Sequence, residues 1–562
     1  MASGCVSCPK CSSDVFFTSV DQLNVPVLSP AVSSLLHTND CPSASDIHTL
    51  KESAQYIDDA LGVVEADIRR LSDIVSRLKE RRKLFRDAQN MHNIILSPIR
   101  RLHPEILVQI FLATYHYLGE SGVYDVFDPT SGPWLVGQVC SKWRAIVVSH
   151  STLCIRGCQI SRTPRRVARL KGPIPMLSSA LSRSGQHALS FKFCCDDPMD
   201  KNIPAIMTTL FHLLSSHCTR WGNVTLRIPA PIVAALSSIR GRLPMLTDLE
   251  LTFLDVGDVP TFHIDAFSIA PRLARAQLID LPEGIHVHFT NSNLVHFSDC
   301  RPQSAPTNAY LLNVIQTSPD LESFEAAHRG LYAASSSSPV PSTRVVNTSL
   351  RKLYACEGGF LGSLVLPALE MVSMTPFSDD VSCPPNALPG LRTLLNQSHC
   401  SLTQLAMSDV TPDHHLLAVL ELVPTLTSLI FAQSHAWPKH YDDILQALIS
   451  CMKATAIDDN GKPYHLLLPQ LEKLDFSIMT KTPQDSCFHC FVNHDFAEMV
   501  ISRWDTDEPS LSSVSVTFFS HLPWNFPGLL PGDITNLKRC QMEKLSIDIS
   551  SRNFDNEGDF YV

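Results

Sequence analysis

No stretch of this 562-residue chain approaches the roughly eighteen consecutive apolar residues of a membrane-spanning helix, and its first residues lack a basic-then-apolar leader pattern. A protein of the cytoplasm or nucleus with no membrane association is expected. Charge is scarce as well. Only 18% of the residues are Asp, Glu, Lys or Arg, and the acids prevail to give a net charge of −10. Phosphate contacts need a clustered basic surface, so this balance argues against a nucleic-acid partner. The local basic cluster of Arg77, Lys79, Arg81, Arg82, Lys83 and Arg86 reads as the solvated face of a helix. Enzyme signatures are also missing: there is no Walker lysine motif, dinucleotide glycine fingerprint, His-Glu-x-x-His or Gly-x-Ser-x-Gly. Neither catalysis nor a cofactor is expected.

Cysteine, by contrast, is plentiful, with 18 residues scattered along the chain. Without a secretory leader they are expected to be reduced thiols, most of them in the core. For the same reason the sequons at Asn223, Asn347 and Asn396 carry no weight. Two clusters have partial metal-ligand spacing. Cys5-x-x-Cys8-x-x-Cys11 has no nearby fourth ligand, since His37 and Cys41 lie far along the chain, and Cys487-Phe-His-Cys490 with His494 is a half-site in a long loop. Both read as ordinary thiols, and no metal is expected.

The first 45 residues have little periodicity and several prolines, which predicts a mostly irregular tail. From Ile57 the apolar residues run Ile57, Leu61, Val64, Ile68, Leu71, Val75, Leu78, with spacings that alternate between four and three. That is a heptad seam, and it predicts a coiled-coil helix over 46–96. The seam could pair with a second copy of the chain to give a homodimer, or pack back on its own protein.

Beyond about residue 185 a unit of the form Pro-x-Leu-x-x-Leu-x-apolar recurs. It stands as Pro244-Met-Leu-Thr-Asp-Leu-Glu-Leu251, Pro319-Asp-Leu-Glu-Ser-Phe-Glu-Ala326, Pro367-Ala-Leu-Glu-Met-Val-Ser-Met374, Pro424-Thr-Leu-Thr-Ser-Leu-Ile-Phe431, Pro469-Gln-Leu-Glu-Lys-Leu-Asp-Phe476 and Pro509-Ser-Leu-Ser-Ser-Val-Ser-Val516. Weaker copies fall at Pro271–Leu278, Leu294–Asp299, Leu350–Ala355, Leu391–Asn396, Leu402–Met407 and Met542–Ile547. Separations of roughly twenty to thirty residues are those of leucine-rich repeats. The last two apolar positions are two apart, so they point the same way from a short strand, and the residues between them point outward. One unit cannot bury its own apolar face, but stacked units share a core. The expected fold is therefore α/β: a helical N-terminal region followed by an irregular leucine-rich-repeat solenoid over 185–562. Its outward strand positions Asp248, Glu250, Glu325, Lys352, Tyr354, Lys473 and Asp475 are the candidate substrate-binding residues. Their mixed charge suits a protein partner, with Tyr354 as an anchor.

Between tail and repeats stands Ser97-Pro-Ile-Arg-Arg-Leu-His-Pro-Glu-Ile-Leu-Val-Gln-Ile-Phe111, followed by Val139-Cys-Ser-Lys-Trp-Arg144. Pro104 suits the first helical position, Glu105 suits the positive end of the dipole, and Ile106, Leu107, Ile110 and Phe111 recur at helical spacing. A second apolar helix around Val136, Val139, Cys140, Trp143 and Ile146 supplies part of their cover. Gly119–Gly132 reads as an inserted loop, and 157–184 as a basic linker.

With Leu35-Leu-His-Thr-Asn-Asp40 and the heptad helix, this segment resembles the F-box proteins of mushroom-forming fungi over about residues 30–156, with the F-box at 97–156. The resemblance implies a non-catalytic subunit of an SCF-type ubiquitin ligase. Its F-box would bind a Skp-type adaptor, and through it a cullin-RING ligase, while the repeats choose a protein substrate. Leu102, Pro104, Ile106, Leu107, Ile110, Phe111, Val139 and Trp143 would form or support the adaptor surface. The chain departs from the family pattern at His103, where proline is usual, and at Cys154, where tryptophan is common. A repeat-based interaction scaffold that has kept these helices as a cap is the alternative.

Overall fold

The computed structural model describes residues 6–7, 14–15, 23–38, 40–117, 124–154, 158–161, 172–195, 205–254, 262–282, 284–290, 293–301, 308–328, 344–376, 382–434, 439–457, 463–479, 491–506, 509–520, 528–553 and 556–561. The protein is mixed α/β and divides into two units, residues 1–106 and 107–562.

In the first unit the expected coiled-coil segment is one unbroken helix, α1 (Ala44–Leu96). Ser43 caps it by accepting from the Asp46 N–H at 3.2 Å. At 1.5 Å per residue the helix is about 80 Å long. None of its residues is buried, and Leu61, Ile68, Leu71, Val75 and Leu78 along the seam are 41–62% exposed. Within the expected irregular tail lie a helical turn at Pro30–Ser34 and a small antiparallel pair, Val6–Ser7 with Asp14–Val15. Cys5, Cys8 and Cys11 fall outside the described residues, as do Cys487 and Cys490.

The boundary between the units falls within α2 (Pro104–Tyr117). In the second unit, α3 (Gly132–Val139) and α4 (Ser141–Ser149) replace the single helix expected there. The break is at Cys140, whose backbone is extended and whose Sγ accepts from the Trp143 N–H, so that it caps α4.

The rest of this unit is built on one sheet of sixteen strands. They are β1 (Tyr124–Asp125), β2 (Cys158–Ser161), β3 (Leu189–Cys194), β4 (Trp221–Ile228), β5 (Asp248–Phe253), β6 (Arg275–Ile279), β7 (His296–Arg301) and β8 (Ser323–His328), then β9 (Lys352–Tyr354), β10 (Met371–Met374), β11 (Gln404–Ser408), β12 (Ser428–Gln433), β13 (Lys473–Met479), β14 (Ser513–Ser520), β15 (Ser546–Asn553) and β16 (Asn556–Tyr561). They pair in strict chain order, all parallel except β16, which runs antiparallel to β15. Parallel neighbours require a return crossover each time, and helices such as Asn308–Thr317 and Lys439–Lys453 supply it.

The repeat pattern explains the register. The leucine after each proline, or its equivalent, is buried to 1% or less at Leu246, Leu273, Leu294, Leu321, Leu350, Leu369, Leu402, Leu426, Leu471, Leu511 and Leu545. On the inner face Leu249, Ala276, Phe297, Phe324, Leu353, Val372, Leu405, Leu429, Leu474 and Val514 stand in one register row. Just before the strands a staircase of carbonyls runs through the array. Val295 O accepts from Glu322 N and Ser323 N, Glu322 O from Arg351 N and Lys352 N, and Arg351 O from Glu370 N and Met371 N. Each unit thus satisfies the backbone of the next where the chain turns into its strand.

Three readings of the sequence are corrected. The copy at Leu391–Asn396 is not a strand. It lies inside the helix Ala387–Ser398, whose buried Leu388, Leu391, Leu394 and Leu395 have helical spacing. The stretch read as an inserted loop holds β1, with Tyr124, Val126 and Phe127 buried, and the expected linker holds β2 and the helix Pro173–Arg183. The sheet therefore begins some sixty residues before position 185. Its turn residues close a tight bend instead of projecting: Asp125 Oδ1 accepts from Phe127 N, Asp128 Oδ1 from Thr130 N, and Trp134 Nε1 donates to Val126 O at 2.9 Å.

Candidate functional site

Two surfaces gather the residues singled out in the sequence. The first is helical. In the second unit Leu107 and Phe111 are buried, 0% and 2% exposed, and Phe111 packs on Trp143 with ring centroids 4.7 Å apart. Arg144 Nε donates to Gly137 O at 3.0 Å, which ties α4 to the end of α3. This packing supports a set of large apolar side chains in water: Ile110, Leu135, Val139 and Val148 are 37%, 41%, 59% and 50% exposed. Four residues before Ile110 on α2, Ile106 is 51% exposed, whereas Leu102 and Pro104 are half-buried. Of the eight candidate adaptor residues, Leu107, Phe111 and Trp143 are thus supports, and Ile106, Ile110 and Val139 are surface. Beside these helices Trp134, Arg144, Val148, Met176 and Arg183 line an open groove, with Arg183 over the Trp134 ring at 5.0 Å. Leu135, Val148 and the groove were missed, because their contacts come from elements that the sequence reading merged or left as loop. His103 and Glu105, both exposed, pair with each other, and Leu153 beside Cys154 is fully buried.

The second surface is the outward face of the sheet. The register sorts its candidate residues into two rows. Asp248, Arg275, His296, Ser323, Lys352, Met371, Gln404, Ser428 and Lys473 form the first. Glu250, Gln277, Ser298, Glu325, Tyr354, Ser373, Ala406, Ile430, Asp475, Ser515 and Asp548 form the second. Lys352 and Lys473 are exposed; the other five candidates are half-buried. Asp248 accepts from Arg275 Nη1 at 3.2 Å. In the second row Glu250 accepts from Thr225 Oγ1 at 3.3 Å and Glu325 from Ser298 Oγ at 2.8 Å. Burial pushes the Asp475 carboxyl above its ordinary range, against the hydrogen bond from Ser515 and with the nearby Asp548 adding to the rise. Tyr354 reaches the Met371 Sδ at 3.7 Å. The mixed charge seen in the sequence is therefore laid out in order. Row membership depends on pairing partners hundreds of residues apart and could not be read locally.

Titratable clusters lie elsewhere. His263 Nδ1 and His288 Nε2 are 3.2 Å apart, and the His286 ring lies 4.6 Å from that of Tyr310. Burial first, then Arg301 and His263 beside His286 and His263 beside His288, hold both below the ordinary histidine range. Ligand atoms of Asp413, His414 and His415 all lie within 4.8 Å of one another and are able to hold a metal ion, although Asp413 Oδ1 already accepts the His415 N–H. Of the eleven cysteines whose side chains are described, six are buried. The Cys356 thiol alongside, together with burial, drives Cys383 far up, which makes Cys383 a poor nucleophile. His494, read as part of a half-site, instead bonds Asp533 at 2.9 Å.

No described helix is long and apolar enough to cross a membrane. Neither a protein-family model nor a curated protein matches this chain.

Proposed function

We propose that the chain is the substrate-recognition subunit of an SCF-type ubiquitin ligase, an F-box protein whose repeats form a leucine-rich-repeat solenoid. It acts in the cytoplasm or nucleus. The observation that carries this reading is the helical surface where buried Leu107 and Phe111, packed on the half-buried Trp143, hold Ile110 and Val139 out in water. Full burial of such side chains is worth roughly 1.5–3 kcal/mol each, so a partner that covers them gains a compact source of affinity. A Skp-type adaptor is that partner, and it links the chain to a cullin and a RING subunit. The sheet face then holds the protein substrate.

Ile110→Glu with Val139→Glu places charges on the surface without disturbing Leu107 or Phe111. This double variant should keep its unfolding profile and lose copurification with the adaptor. Leu107→Asp is the poorer probe, because it buries a charge and disturbs the fold itself. If the unmodified protein fails to retain any Skp-type adaptor, the helices are a cap and the scaffold alternative holds.

The exposed seam of α1 fits pairing with a second copy. Light scattering at micromolar concentration should give a dimer mass, reduced to a monomer by Ile68→Glu with Val75→Glu. A monomeric unmodified protein ends that part of the proposal.

A further inference from the structure

We infer that the second row of the sheet face is a docking track for an extended segment of another protein in which basic residues flank large apolar side chains. This deepens the substrate-receptor reading and rests on it only for calling that segment a substrate.

The row has a graded composition. Its middle is weakly polar to apolar, from Tyr354 on β9 through Ala406 to the 39% exposed Ile430 on β12, with Met371 beside it in the first row. Carboxylates stand on both sides: Glu250 and Glu325 toward β5, Asp475 and Asp548 toward β15. From Glu250 to Asp548 this row holds no Lys or Arg.

The flanking acids are held in place. Glu250, Glu325 and Asp475 each take a hydrogen bond from a hydroxyl on an adjacent strand, namely Thr225, Ser298 and Ser515. Among the described residues none of the three forms a salt bridge. A half-buried carboxylate oriented by a neutral donor loses little freedom when a cation arrives. The first row is different, since there Arg275 already answers Asp248.

Spacing sets the partner's length. Glu325 and Asp475 are five strands apart in the sheet, or about 24 Å at ~4.8 Å per strand, which an extended chain spans in roughly seven residues. Lys352 and Lys473 stand two residues before Tyr354 and Asp475 on their strands. A basic segment that slipped toward the first row would meet them, so they help to keep it on the acidic line. The chemistry is that of a compact hot spot, with an aromatic and an aliphatic group at the centre and charge at the rim.

The test uses the full chain and fluorescence anisotropy with a labelled peptide: two arginines, a seven-residue core containing Leu and Ile, and two more arginines. Binding should occur, weaken with added salt, and vanish for the same peptide with Glu in place of each Arg. Glu325→Gln with Asp475→Asn should weaken it at least tenfold, and Tyr354→Ala likewise. Lys352→Gln with Lys473→Gln should tighten it, because two ammonium groups that repel the peptide's arginines are gone. These side chains are exposed or half-buried, and unchanged urea midpoints would show that the variants are folded. Failure of the basic peptide to bind, equal binding of the acidic one, or an unaffected E325Q/D475N variant overturns the track. Adaptor copurification reads out the ligase proposal separately, because a chain that captures the peptide without retaining the adaptor has lost that proposal and kept this one.

Discussion

Arg503→Met should lower the stability of the second unit by about 3–5 kcal/mol, since each buried acceptor stripped of its donor costs about 1–3 kcal/mol. Arg503 lies on the helix His494–Trp504 and is 1% exposed. Among the described residues its guanidinium donates only to backbone carbonyls. Nε and Nη2 donate to Met452 O at 3.2 and 2.9 Å, Nη1 to Leu468 O at 2.8 Å, and Nη2 also to Leu467 O at 2.6 Å. Met452 lies in the last turn of the preceding return helix, and Leu468 has a left-handed backbone with φ of 51°. One side chain therefore closes a helix end and a strained turn in the neighbouring repeat. Burial lowers its pKa to about 10, so the charge is bound at a desolvation cost that only these carbonyls offset. Arg503→Lys should recover part of the loss, because one ammonium cannot span three carbonyls. The urea midpoint reads the effect, and a shift no larger than that of a surface Arg→Met control would show that water or rearranged backbone replaces the guanidinium.

This arginine marks the limit of the sequence reading. Pro469-Gln-Leu-Glu-Lys-Leu-Asp-Phe476 announces β13, because the apolar spacing that defines its strand is local. Arg503 carries no such signature, since its acceptors lie about 35–51 residues away. The same holds for Gly358 and Gly390. A Cβ on Gly390 would sit 2.4 Å from the Gly358 Cα, a close approach of two helices that neither residue reveals alone. α1 was legible almost to its ends, since a heptad seam is a local signal. β1 was not, being two residues long and hidden among turn formers. Of the candidate surfaces, the alternation of inward Leu249 and outward Glu250 was legible, and the alignment of the outward row across eleven strands was not. The helical surface divides in the same way: spacing found Ile110 and Phe111, but only packing shows which one faces water.

Asp299→Ala should cost a similar amount, about 3–5 kcal/mol, because it leaves a buried guanidinium without its counterion. Asp299 and Arg301 are both 0% exposed on β7. Asp299 occupies an inner-face position between Leu278 and Ala326, where every rule of the repeat calls for an apolar side chain. The pair is bidentate, Nε to Oδ1 at 2.7 Å and Nη2 to Oδ2 at 2.8 Å, and Arg301 Nη1 also donates to Pro282 O at 3.1 Å. Removing two charges from water is expensive, and in a core that already holds Phe297 and Phe324 an apolar pair of similar volume can do as well. Asp299→Leu with Arg301→Met should therefore be far less damaging than Asp299→Ala alone, even though it changes more atoms. Chemical denaturation of the two variants decides the matter. If the double variant is as unstable as the single one, the ion pair does more than satisfy itself, and the bond to Pro282 O, which fixes the turn that feeds Ile285–Val287, becomes the interaction that this part of the array cannot lose.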